Sequence, residues 1–117
     1  MTTQKRKVTT LPNFDRDVKR LKKRFPALKR LIGDVILDLE AGETLGDRIP
    51  NIEYAVYKVR LPNPDAQKGK SGGFRVIYCL ITEDGALLLF IYSKSDQTDV
   101  PIEVIIQLID EFNNQSE

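Results

Sequence analysis

Residues 54 to 92 read YAVYKVRL (54–61), PNPDAQKGKSGG (62–73), FRVIYCLIT (74–82), EDG (83–85) and ALLLFIY (86–92), and these three apolar runs decide the fold. Side chains of an extended chain point to alternate faces, so a period of two marks a strand with two different sides. Tyr54 to Leu61 has that period: Tyr57, Val59 and Leu61 fall on one face, Val56, Lys58 and Arg60 on the other. Pro62, Asn63 and Pro64 end the run. Phe74 to Thr82 predicts the next strand, and Asp84-Gly85 is a tight-turn signal. Ala86 to Tyr92 is apolar almost throughout, which suits a central strand covered on both faces. The three together predict an antiparallel meander.

On the N-terminal side, Lys7 to Leu11 predicts a short first strand that Pro12 and Asn13 break. Phe14, Val18, Leu21 and Phe25 then form one helical stripe, with Arg16, Lys19, Arg20, Lys22, Lys23 and Arg24 on the remaining surface. Pro26 suits the first turn of a second helix, whose Leu28, Leu31, Ile32, Val35, Ile36 and Leu39 make a broad apolar face ending at Gly42. These two helices are expected to pair as an antiparallel hairpin. Gly42 to Glu53 has no period and reads as a connection. Beyond the loop Ser93 to Asp99, Pro101 marks a last helix with Ile102, Ile105, Ile106, Ile109 and Phe112 as its stripe. The expectation is one α+β domain over residues 1–117, strand, two helices, three strands, helix, with a small antiparallel twisted sheet and with residues 1–6 and 113–117 frayed.

Composition narrows the chemistry. The chain has no histidine and one cysteine, which excludes zinc clusters, serine triads and histidine acid–base catalysis, so no metal or cofactor is expected. Cys79 lies in an apolar run and reads as a buried filler. No apolar stretch reaches the ~20 residues of a membrane span, and the N-terminus lacks a signal-peptide core, so a soluble, cytoplasmic protein is expected.

The net charge of +1 conceals four blocks of alternating sign. Residues 1–30 carry 11 basic and 2 acidic side chains, 31–57 carry 1 and 6, 58–75 carry 5 and 1, and 76–117 carry 1 and 8. A strongly positive region on a near-neutral protein is the footprint of a polyanion partner, with nucleic acid the leading one. Lys19, Arg20, Lys22 and Lys23 on the first helix, and Lys68 and Lys70 in the glycine-rich loop, are the candidate RNA-binding residues. That loop lacks the P-loop spacing and precedes a strand, so nucleotide hydrolysis is rejected.

Residues on one face of neighbouring strands lie about 5 Å apart, so Lys58, Arg60 and Arg75 form one cationic cluster if the register allows it. Tyr92 and Lys94 share parity at the exit of the last strand and would border the same surface. These residue types suit RNA cleavage by the substrate's own 2′-hydroxyl. The fork of Arg75 matches phosphate oxygens and stabilises developing negative charge, whereas an ordinary lysine is almost wholly protonated at neutral pH and accepts a proton only if crowding by other cations shifts it.

Phe14 to Leu21, Tyr57 to Leu61, Lys68 to Tyr78 and Ile91 to Asp99, taken in this order, resemble the RelE/ParE toxin superfamily, and most of all its HigB-type RelE-like toxins. The resemblance implies a toxin of a type II toxin–antitoxin module: a ribosome-dependent endoribonuclease, or mRNA interferase, that cuts translated mRNA in the A site. Its partners would be the ribosome, mRNA and a cognate antitoxin, a helix-turn-helix DNA-binding protein. It implies that the catalytic basic pair falls on Lys58 and Arg60 and the phosphate-contacting arginine on Arg75. Arg60 stands where RelE has lysine, which makes Lys58 the family-implied base. RelE also carries a functional tyrosine in its C-terminal helix, and this chain has no tyrosine after Tyr92, so Tyr92, Lys58, Lys94 or Asp96 would take that role. Two other readings keep the fold without the chemistry: a ParE-like binder of a topoisomerase, and a ribosome or RNA binder that does not cleave.

Overall fold

Strand β1 (Lys7–Thr10) stops short of Pro12, which has no N–H to give a sheet and instead opens helix α1 (Pro12–Arg24), where the missing donor costs nothing. Asp15 in the first turn of α1 and Lys22, Lys23 and Arg24 in its last turn complement the helix dipole. Helix α2 (Leu28–Glu40) begins two residues after Pro26, which lies in the preceding turn and not in the first turn of the helix. The last turn of α2 has no basic side chain of its own. Arg6, just before β1, supplies one: its guanidinium donates to the carbonyls of Leu39 (3.2 Å), Gly42 (3.3 Å) and Glu43 (2.7 Å), at and just beyond the negative end of the helix dipole. The expected fraying therefore does not extend to Arg6. The computed structural model describes residues 6–64, 73–82, 84–97 and 99–115.

The remaining elements are β2 (Asp47–Arg48), β3 (Ala55–Leu61), β4 (Phe74–Thr82), β5 (Gly85–Ser93) and α3 (Ile102–Gln115), which makes a small α+β domain with one five-stranded sheet in the order β1-β5-β4-β3-β2. The sheet is mixed, not antiparallel throughout: β1 runs parallel to β5, with Lys7 opposite Gly85 and Thr10 opposite Leu88. The connection Gly42 to Glu53 hides β2, two residues paired antiparallel to β3 through Asp47 with Lys58 and Arg48 with Tyr57. Helix α3 continues through Gln115, past the point at which the sequence predicts fraying. Among the described residues no helix is long and apolar enough to cross a membrane.

The sheet separates two apolar clusters. One side packs Val59, Leu61, Phe74, Val76, Tyr78, Leu88 and Ile91 against Phe14 and Leu21 of α1 and Leu28, Ile32, Val35 and Leu39 of α2. The other packs Val56, Ile77, Cys79, Leu87, Leu89 and Tyr92 against Ile105 and Ile109 of α3. The alternation of β3 and the three helical stripes thus meet as the sequence predicts, and β5, between β1 and β4, is buried on both faces. Ile102 is the exception: it starts α3 on its exposed side. Leu89 is the extra residue at a shift in the β4–β5 register, since Ile77 faces Phe90 and Tyr78 faces Leu88. Its carbonyl accepts a hydrogen bond from the Asn13 side chain at 2.9 Å, so α1 satisfies the group that the bulge frees.

Tyr78 links the core to the segment that carries β2. Its ring stacks on Tyr57 at 5.5 Å, and its hydroxyl donates to the Leu45 carbonyl (2.6 Å) while accepting from the Leu45 N–H (2.8 Å). Burial pushes its pKa up to about 12, so the neutral phenol stabilises the fold at every pH below the ordinary value of 10. That contribution is lost as the pH rises from 10 through 12. Tyr78→Phe should lose both hydrogen bonds and about 1–3 kcal/mol of stability at pH 8. The deficit in melting temperature should narrow by pH 11, where wild-type Tyr78 begins to ionise; an equal deficit at both pH values would contradict this account.

Candidate nucleic-acid interface

The register settles which strand residues share a side. Arg60 pairs with Arg75, and Arg75 with Tyr92, in one row across β3, β4 and β5. Lys58 is two residues before Arg60 and so points to the same face, the one covered in part by α3. Residues paired across antiparallel strands have Cβ atoms about 5 Å apart, so three cations and a phenol lie within reach of one another.

Their exposure differs. Arg60 is exposed, and no carboxylate among the described residues pairs with it. Arg75 is only 7% exposed and donates to the carbonyl of Phe74 at 3.2 Å, which makes it a buried charge beside the exposed Arg60 on the neighbouring strand. The Tyr92 hydroxyl is buried as well. Asp99 approaches it without closing a well-formed hydrogen bond. Burial and then the Asp99 charge raise its pKa, partly offset by Arg75, so Tyr92 holds its proton.

Asp99, in the loop between β5 and α3, joins the site to that loop. Its Oδ1 accepts from Lys58 Nζ at 3.0 Å and from the Val100 N–H at 2.9 Å. Burial pushes the Asp99 carboxyl up, but the hydrogen bonds from Lys58 and Val100 and the charges of Lys58 and Lys94 outweigh it and hold the group below its ordinary value. The same loop is anchored at a second point, where Arg24 of α1 meets Asp96 at 3.2 Å. Lys94 sits at the exit of β5, its backbone N–H bonded to the Gly73 carbonyl at 2.9 Å.

A cleft of about 310 Å³ opens between the β2 segment and this loop, lined by Asp47, Arg48, Ile49 and Pro50 on one side and by Lys58, Arg60 and Asp99 on the other. Gly46 brings the two walls together. It has φ +78°, and a Cβ there would lie 2.2 Å from the Lys58 carbonyl oxygen, so only glycine allows the β2 segment to lie this close to β3. The cleft carries more positive than negative groups and presents both hydrogen-bond donors and an ionised carboxylate, which suits a phosphodiester and the hydroxyl beside it.

Of the residues singled out from the sequence, Lys58, Arg60, Arg75 and Tyr92 gather on one face, and Lys94 is near enough for its charge to act on Asp99. Lys19, Arg20, Lys22 and Lys23 are exposed on α1, which covers the opposite face of the sheet, and Arg20 is paired with Asp17 at 3.6 Å. Lys68 and Lys70 lie outside the described residues. Sequence reasoning missed Asp99 and the Asp47–Pro50 wall. Asp99 lies three residues before α3, outside the capping position, and bonds the N–H of the next residue, so no helix-start signal marked it; the two-residue β2 left no periodic signal. No family model matches the chain, and no curated protein matches it.

Proposed function

We propose that this protein is a RelE-like mRNA interferase, the toxin of a type II toxin–antitoxin module, and that it cuts mRNA on the ribosome by attack of the substrate's 2′-hydroxyl on the adjacent phosphate. One observation carries the reading: the row Arg60, Arg75, Tyr92 across three strands, with Lys58 on the same face at an open cleft. The α+β layering and the motifs around Lys58, Arg75 and Tyr92 agree with it. In this reading Arg60 meets the non-bridging phosphate oxygens, and the buried Arg75 beside it strengthens the field as the pentavalent phosphorus gains negative charge. One such preorganised contact contributes ~10² to 10³ in rate. The antitoxin would be a helix-turn-helix DNA-binding protein encoded alongside, covering the cationic cleft.

The test is induction of the protein in a bacterial host, with mapping of transcript 5′ ends. Cuts within translated reading frames that vanish when initiation is blocked are the expected result. Arg75→Ala should lower cutting by ~10² to 10³ while the circular dichroism spectrum persists. A folded Arg75→Ala protein that remains fully toxic would overturn the assignment of Arg75. Growth arrest without new 5′ ends would favour a non-cleaving binder of the ribosome or of a topoisomerase.

A further inference from the structure

Strand cleavage by a 2′-hydroxyl requires two proton transfers, one from the attacking oxygen and one to the departing oxygen. Arginine is not a proton acceptor in proteins, and the Tyr92 hydroxyl is enclosed with its proton in place. Two carboxylates line the cleft, Asp47 and Asp99, and Asp99, whose side chain is 64% exposed, is the one that meets Lys58 Nζ, at 3.0 Å. Its Oδ1 is held by Lys58 and by the Val100 N–H, and its carboxylate stands in the cleft wall. Lys58, 29% exposed, lines the same cleft and spends one of its three ammonium donors on Asp99.

We propose that Lys58 and Asp99 are the acid–base couple of the cleavage reaction, with Asp99 taking the proton of the attacking 2′-hydroxyl and Lys58 giving one to the departing 5′-oxygen. The inference rests on the nuclease reading above. The 2′-oxygen forms a bond to phosphorus as its proton passes to the Asp99 carboxylate. The bond from phosphorus to the 5′-oxygen breaks, its electron pair leaves on that oxygen, and Nζ of Lys58 protonates it. The products are a 2′,3′-cyclic phosphate and a 5′-hydroxyl. The proton on Asp99 then crosses the 3.0 Å contact to the Lys58 amine and restores the ion pair, so the enzyme returns to its starting state without a co-reactant. Lys58 thereby becomes the acid, not the base that the family resemblance implies.

The experiment uses ribosomes programmed with a short mRNA and single-turnover cleavage by the full-length protein. Asp99→Asn and Lys58→Ala should each slow cleavage by about 10²-fold or more. With sulfur in place of the departing 5′-oxygen, the thiolate leaves without needing a proton, so Lys58→Ala should return to within about tenfold of wild type while Asp99→Asn stays slow. Binding of Asp99→Asn to a ribosome-bound mRNA with a 2′-deoxy nucleotide at the cleavage position should stay within about threefold of wild type, because that complex needs no proton acceptor. The couple is overturned if Asp99→Asn cleaves at the wild-type rate, if sulfur rescues both variants or neither, or if Asp99→Asn loses binding along with cleavage. Wild-type protein that cuts no ribosome-bound mRNA overturns the nuclease reading, and the couple with it.

Discussion

Gly46→Ala should lower stability by about 3 kcal/mol and the melting temperature by roughly 10 °C, a large effect for one methyl group. Two costs add. The backbone at φ +78° lies in the left-handed region, where an L side chain costs about 1–2 kcal/mol, and the new Cβ would sit 2.2 Å from a backbone oxygen that has no rotamer with which to escape. Relief comes only by moving the β2 segment off β3, which also opens the cleft. Gly33→Ala is the matched control: Gly33 lies inside α2 with an ordinary backbone, and a Cβ there meets nothing within 4 Å. The same chemical change should there raise stability by about 0.5–1 kcal/mol, because alanine loses less conformational freedom in a helix. Thermal unfolding of the two variants decides the matter; equal shifts of the same sign would refute the reading of Gly46 as a forced close approach.

Phe74→Ala should cost about 3–5 kcal/mol, the range for removing a fully buried aromatic ring. Phe74 has no exposed surface and meets Phe25 edge to face at 5.3 Å, so it fastens the end of α1 to the first residue of β4. Arg75 follows it directly and donates to its carbonyl. Loss of the ring should therefore loosen Arg75 as well, and under the proposed nuclease function cleavage should fall before the protein melts. Denaturant unfolding measures the first effect, and ribosome-dependent cleavage well below the melting temperature measures the second. Phe74→Leu keeps much of the volume and should recover most of both.

The elements with a long regular period were legible in the sequence. The alternation of β3, the unbroken run of β5 and the stripes of α1, α2 and α3 each state a local preference that agrees with the final packing. The parallel pairing of β1 with β5 was not legible, because it joins residues nearly eighty positions apart and leaves no local trace. β2 was too short to show a period, and its position depends on Gly46 and on the Tyr78 hydroxyl, both read only once the chain is folded. Among the candidate site residues, the shared face of Lys58 and Arg60 followed from parity alone. That Arg75 is buried while Arg60 is open, and that Asp99 swings in to meet Lys58, depends on how α3 and its loop cover the sheet.

The basic helix and the cationic cleft occupy opposite flanks of one sheet, roughly 20 Å apart at about 10 Å per layer. At physiological ionic strength a field is damped within about 8 Å, so, apart from the Arg24–Asp96 contact at the helix end, each flank attracts its own counter-charge with little influence from the other. A straight oligonucleotide threaded through the cleft would leave the far flank untouched, whereas a crevice walled by RNA on both sides would grip the two at once. For the proposed RNA partner, geometry of this kind favours a folded, enclosing polyanion over a free thread.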